Sequence, residues 1–193
     1  MDKYDIILSD EEQFAREVTL GVIVQQPLTG WYYLMPGMFI IDFLRRTTAI
    51  SRYTKHFMFP RRLAIDAARD LLKGYEKAAV SSRIVAEIEN WLNSPHLYSP
   101  QLAEAQKHAI DLLITHYSKL LDAEGNSHHE LIENAYTSRE AYEAHVSELT
   151  SAETQIDWAI IEKMGNNEKL KKKLQMEAWQ VEIGRKKILQ NIF

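Results

Sequence analysis

Apolar residues recur along this chain at intervals of three and four, the spacing that gathers them on one face of an α-helix. No stretch alternates in the manner of a half-buried strand. Start and stop signals divide the pattern into helices. Ser9, with Glu12 three residues on, makes a capping box and predicts a first helix from about Asp10 to Gln26, stopped by Pro27. Leu28-Thr29-Gly30 reads as a turn. Pro36 suits the first position of a second helix, because its missing N–H is not needed there. Phe39, Ile40, Phe43, Leu44 and Ile50 carry that helix to about Phe59, where Pro60 breaks it.

A long third helix follows from about Arg61 to Asn93, striped by Leu63, Ala67, Leu71, Ala78, Ile84, Ile88, Trp91 and Leu92, with Gly74 as a weak point inside it. The segment 94–100 is the best linker. Ser99 caps a fourth helix with Pro100 at its first position, and Gly125 is placed to end it. A short helix over His128–Tyr136 comes next. Thr137 and Glu140 form a second capping box for a helix from about Ser138 to Met164. Gly165-Asn166-Asn167 ends that helix, and a last one covers Glu168 to Ile192. These elements predict an all-α, mostly antiparallel bundle of five to six helices, with the third, fourth and fifth long. The expected organisation is one helical domain over 1–193. A soft boundary at 94–100 separates an apolar and basic half from an acidic-then-basic half.

Composition narrows the classes. Zero Cys excludes a disulfide-stapled fold, a Cys-ligated zinc or iron–sulfur centre and cysteine catalysis. The opening Met1-Asp2-Lys3-Tyr4-Asp5 lacks a secretory or mitochondrial signal, so the expected address is cytoplasmic.

Charge is unevenly spread. Between Phe43 and Ala86 stand 10 basic and 3 acidic residues; between Ser99 and Glu162 the balance is 3 to 12; between Lys163 and Lys187 it is 8 to 3. Helices of opposite sign packed side by side would explain this as complementary rims. A basic face for an anion is the other reading. A net charge of -4 and the acidic second half make nucleic acid an unlikely partner.

The 24 residues Val18 to Ile41 carry no Asp, Glu, Lys, Arg or His. Gln25, Gln26, Pro27, Thr29 and Gly30 interrupt the run, so a single spanning helix is disfavoured. Either the run is core, or it attaches at an interface. In the second case Trp31, Tyr32 and Tyr33 favour headgroup depth. Met35, Met38 and Phe39 add apolar contact, and Arg45, Arg46, Arg52, Arg61 and Arg62 attract anionic lipid. The last helix, with its run of lysines, could be a basic amphipathic surface element or the closing helix of the bundle.

Catalytic motifs are missing: there is no Gly-rich phosphate loop and no G-x-S-x-G elbow. The nearest approach to metal ligands is three same-face pairs, Glu104–His108, His129–Glu133 and His145–Glu148, without the Glu-x-x-His pair of di-metal bundles. His116, alone on an apolar stripe, reads as core. The sequence therefore points to a non-enzymatic helical scaffold or accessory subunit without a cofactor. It would attach through 18–44 and the following basic residues to an anionic membrane surface, peripherally, or to another protein subunit, with homo-oligomerisation expected. The alternative is a redox or storage bundle holding Fe or Mn on the Glu/His pairs.

Overall fold

The computed structural model describes residues 2–24, 38–94, 96–165 and 167–193; for Val24 and 38–46 it describes the helix and not the side chains. Among the described residues there are seven helices and no strand: α1 (Lys3–Val24), α2 (Met38–Leu72), α3 (Lys77–Asn93), α4 (Pro100–Asp122), α5 (His128–Ala135), α6 (Arg139–Met164) and α7 (Glu168–Ile192). The chain is all-α, with more helices than the five to six expected. The expected turn at 28–30, the stop at Pro27 and the start at Pro36 lie outside the described residues.

Three boundaries differ from expectation, each for a packing reason. The capping signal at Ser9 is overridden, and α1 begins six residues earlier at Lys3. Starting there lets Ile7 bury completely and Tyr4 and Leu8 pack on the core, which outweighs a cap worth about 1 kcal/mol. Pro60 does not break the second helix but lies inside α2, which runs for 35 residues. An internal Pro costs about 3 kcal/mol. Phe57 and Met58 before it and Ala64, Ile65, Ala67 and Ala68 after it are all buried, and one continuous helix is what places both sets inward. The expected third helix is instead divided at Gly74. There the Tyr75 N–H donates to the Asp70 carbonyl at 3.1 Å and the Gly74 N–H to the Leu71 carbonyl at 3.0 Å. This pair of bonds closes a Schellman motif, and Gly74 takes the left-handed conformation it requires, with φ of 88°. The longest helix is accordingly α2, and α3 has only 17 residues.

The remaining ends follow local chemistry. Ser99 accepts from the Leu102 N–H with Pro100 at the first position. Ser127 accepts from the Glu130 N–H while the Glu130 carboxylate accepts from the Asn126 N–H. Ser138, one residue after the expected Thr137, accepts from the Ala141 N–H. Gly125 lies beyond the end of α4, and its hydrogen side faces α5: a Cβ there would stand 2.9 Å from the Glu130 Cβ.

Side-chain pairs fix the directions. Tyr4 meets Asp66, Glu11 meets Arg61 and Thr19 meets Thr54, so α1 and α2 are antiparallel. Tyr142 lies against Phe193 and Glu153 against Arg185, so α6 and α7 are antiparallel too. Helix α4 packs against α1, α2, α3, α5 and α6, and it buries Leu102, Ala109, Ile110, Leu113, Tyr117 and Leu120. The main apolar cluster crosses the expected boundary at 94–100, joining Ile84, Ile88 and Leu92 to Leu102 and Ile110. A smaller cluster of Ala15, Val18, Phe57, Met58 and Val181 lies between α1, α2 and α7.

Candidate functional site

Charged residues at inward positions create a polar network inside the bundle. Arg61 of α2 is buried, as are Phe57, Ala64 and Ile65 of the same helix. Its Nε donates to Glu11 Oε2 of α1 at 2.9 Å, and its guanidinium lies 3.9 Å from the Phe57 ring centroid. The other Glu11 oxygen accepts from the Tyr117 hydroxyl of α4 at 2.8 Å. Glu153 of α6 lies 3.7 Å from Arg61 and receives both terminal nitrogens of Arg185 of α7, at 2.7 and 2.8 Å. Arg185 also donates to Thr150 Oγ1 at 2.9 Å. The chain Tyr117–Glu11–Arg61–Glu153–Arg185 thus ties five helices together. It joins the basic first half to the acidic second half within one molecule.

Beside this network lies a cavity of about 50 Å³, lined among others by Asp10, Glu11, Arg61, His116, His145 and Arg185. That volume suits a water or two and no metabolite. On its wall the His116 and His145 rings stack, with centroids 4.7 Å apart and planes 11° apart. His116 Nδ1 is 2.7 Å from the Tyr136 hydroxyl. Burial first, then the neighbouring Arg185 and Lys119, hold His145 down at about 4. Burial, then His145, keep His116 well below the ordinary histidine range. His128 of α5 reaches Asp10 of α1 through Nδ1, and its Nε2 is shielded from solvent without a protein partner.

A second polar cluster lies further toward the end of α1. The Tyr53 hydroxyl donates to Glu177. Burial, then Glu177 and Glu153, raise the Asp157 carboxyl to about 7. Burial, with Glu153 adding to it, also raises Glu177.

These contacts set the level of the basic residues. Thr19 meets Thr54, and Tyr53 meets Glu177. The first turns of α2 and α7 and the last turn of α6 therefore lie toward the end of the bundle where α1 stops. Arg52, Lys163, Lys169, Lys172 and Lys173 are exposed there. The same end holds Val24 and Met38, the two flanks of the uncharged segment 25–37. Arg52 of the first basic block and the lysines 163–173 of the second thus share one end of the bundle, together with the exposed Glu162 and Glu168.

Of the residues expected to attach, Trp31, Tyr32, Tyr33 and Met35 lie outside the described residues. Met38, Phe39, Arg45 and Arg46 belong to α2, with side chains outside the description. Arg52 is exposed. Arg61 leaves the surface set, since it is buried and held by Glu11 and Glu153. Arg62 is exposed and paired with Glu12. No described helix is long and apolar enough to cross a membrane.

The three Glu/His pairs are scattered. Glu104 and His108 line an open groove with Trp158 and Glu162. His129 and Glu133 are exposed, 4.0 Å apart on α5. His145 turns inward onto His116 while Glu148 stays exposed. Among the described residues no group of three or more His, Asp or Glu is placed to hold a metal ion.

Tyr117, Glu153 and Arg185 escaped the sequence reading, and Glu11, which beside Glu12 reads as surface charge, is instead drawn inward by Arg61 and Tyr117. A signal was present for Arg185, which stands four residues after Val181 on the inward face of α7. A scan against protein-family models, a search of curated proteins and a search of solved structures each gave no match.

Proposed function

We propose that the protein is a non-enzymatic helical accessory subunit that attaches by one pole, peripherally, to an anionic membrane surface. The observation that carries this reading is the convergence of Arg52, Lys163, Lys169, Lys172 and Lys173 around the two ends of an uncharged segment containing Trp31, Tyr32 and Tyr33. Cations near an anionic leaflet each contribute about 1 kcal/mol, and aromatic rings favour the headgroup boundary. The two together supply the pair of signals that stable peripheral attachment needs. The buried network supports a scaffold role, because its charges are satisfied internally.

Co-sedimentation with vesicles tests this. Binding is expected to phosphatidylserine-containing vesicles and not to pure phosphatidylcholine, and it should weaken with salt. Lys172→Glu with Lys173→Glu should reduce it by tenfold or more, on the scale of about 1 kcal/mol per cation. Trp31→Ala with Met38→Ala should reduce it at all salt concentrations. No binding to anionic vesicles at low salt would overturn the membrane reading.

A further inference from the structure

We propose that the stacked His116–His145 pair is an acid-sensitive latch that, through Tyr136, holds α5 against α4. The pair sits on the wall of the central cavity, ring over ring at 4.7 Å. Such a stack suits two neutral imidazoles. A proton on either ring places a positive charge in a site shielded from water and beside Arg185 and Lys119.

The surroundings offer little relief. Arg61 from α2 and Arg185 from α7 line the same cavity, and Lys119 from α4 lies 4.8 Å from the centroid of the Tyr136 ring that contacts both histidines. On α1, Asp10 is engaged by His128 of α5 and Glu11 by Arg61 and Tyr117. On α6, Glu153 favours a proton on His145 but is shared by two arginines, and Glu148 is exposed. Tyr142 brings a neutral hydroxyl. The Tyr136 hydroxyl offers no compensating charge, so a ring driven out of the stack either breaks its hydrogen bond to Tyr136 or carries Tyr136 with it.

Tyr136 follows α5 directly and links it to the stack. Helix α5 has eight residues and is anchored by Leu131 and Ile132, both fully buried. Loss of the stack therefore loosens α5 first and exposes Leu131, Ile132 and Tyr136. The device is independent of the membrane pole.

Urea midpoints and amide exchange at about pH 7.5 and about pH 5 test the latch. His145 held near 4 binds its proton later than an unfolded histidine near 6.5, so the unfolded chain gains protons first as pH falls. Stability is full above about 6.5 and declines toward 4. With His145 partly exposed, the wild-type folding constant should fall on the order of tenfold between the two pH values through this residue. His145→Phe keeps a stacked ring and should lose most of that factor. Exchange in 128–136, corrected for intrinsic rates, should rise beyond the rest of the chain in the wild type. Equal pH dependence in wild type and His145→Phe, or a uniform rise in exchange, would overturn the proposal. Should the variant not fold, histidine ring-proton titration in the wild type decides: two midpoints clearly below 6.5 support the latch, and all seven near the ordinary value refute it.

Discussion

Arg61→Met probes the centre of the polar network most directly. The Arg61 side chain is 7% exposed and its partner Glu11 15%. Removing the guanidinium leaves the Glu11 carboxylate inside the bundle with the Tyr117 hydroxyl as its remaining close partner. Breaking a buried pair on one side costs about 3–5 kcal/mol, because the surviving charge stays desolvated. The lost contact with the Phe57 ring adds about 0.5–2 kcal/mol. Against a total stability of roughly 5–15 kcal/mol this is a large fraction. Urea unfolding with linear extrapolation measures it, and an unchanged slope would show that the same surface unfolds. The double variant Glu11→Gln with Arg61→Met removes both charges and leaves Glu153 with Arg185. It should recover at least half of the loss, since the uncompensated carboxylate is gone. The two substitutions therefore should not add. A cost below about 1 kcal/mol for Arg61→Met, or a double variant that loses the sum of the two singles, would refute the assignment of Arg61 and Glu11 as a desolvated pair.

Two further tests address the packing and the second cluster. A Cβ on Gly184 would stand 2.5 Å from Phe14 Cε2, whereas the three atoms nearest to one on Gly21 all belong to the flexible Gln180 side chain. Gly184→Ala should therefore destabilise, by about 1 kcal/mol after the gain in helix propensity, while Gly21→Ala should be neutral or stabilising as Gln180 swings aside; equal thermal shifts in the two would contradict the α1–α7 packing. Asp157 is raised to about 7 in the fold, so its ionisation opposes folding above its unfolded value and the penalty grows as pH rises to about 7. Asp157→Asn should stabilise at about pH 8 by roughly 1–2 kcal/mol, discounted for partial exposure, with a gain about a third as large near pH 5, read from urea curves at both pH values.

The helical pattern was legible in the residues themselves. Intervals of three and four, Ser99-Pro100, Gly125, the capping signal at Thr137 and Gly165 locate α4 to α7 to within a residue or two, because those signals are local hydrogen-bond chemistry. The same local logic misplaced the start of α1 and a break at Pro60. There the burial of Ile7 on one helix and of Ala64, Ile65 and Ala68 on another outweighs a cap or a lost N–H bond, and burial depends on what lies across the interface.

The site depended still more on tertiary structure. Charge blocks at 43–86 and 163–187 are visible in the sequence, but only antiparallel packing brings Arg52 and Lys169–Lys173 to one pole. Arg61 and Arg62 are neighbours in sequence, yet one is sealed inside with Glu11 and the other stays outside with Glu12. A helix turns each successive residue by about a quarter of a circle, so adjacent identical side chains meet opposite environments. His145 pairs with His116, 29 positions away, and not with Glu148 one turn along its own helix. Residue type and spacing determine which helices form and which faces they offer. Which charge meets which partner is decided when those faces close on one another and exclude water.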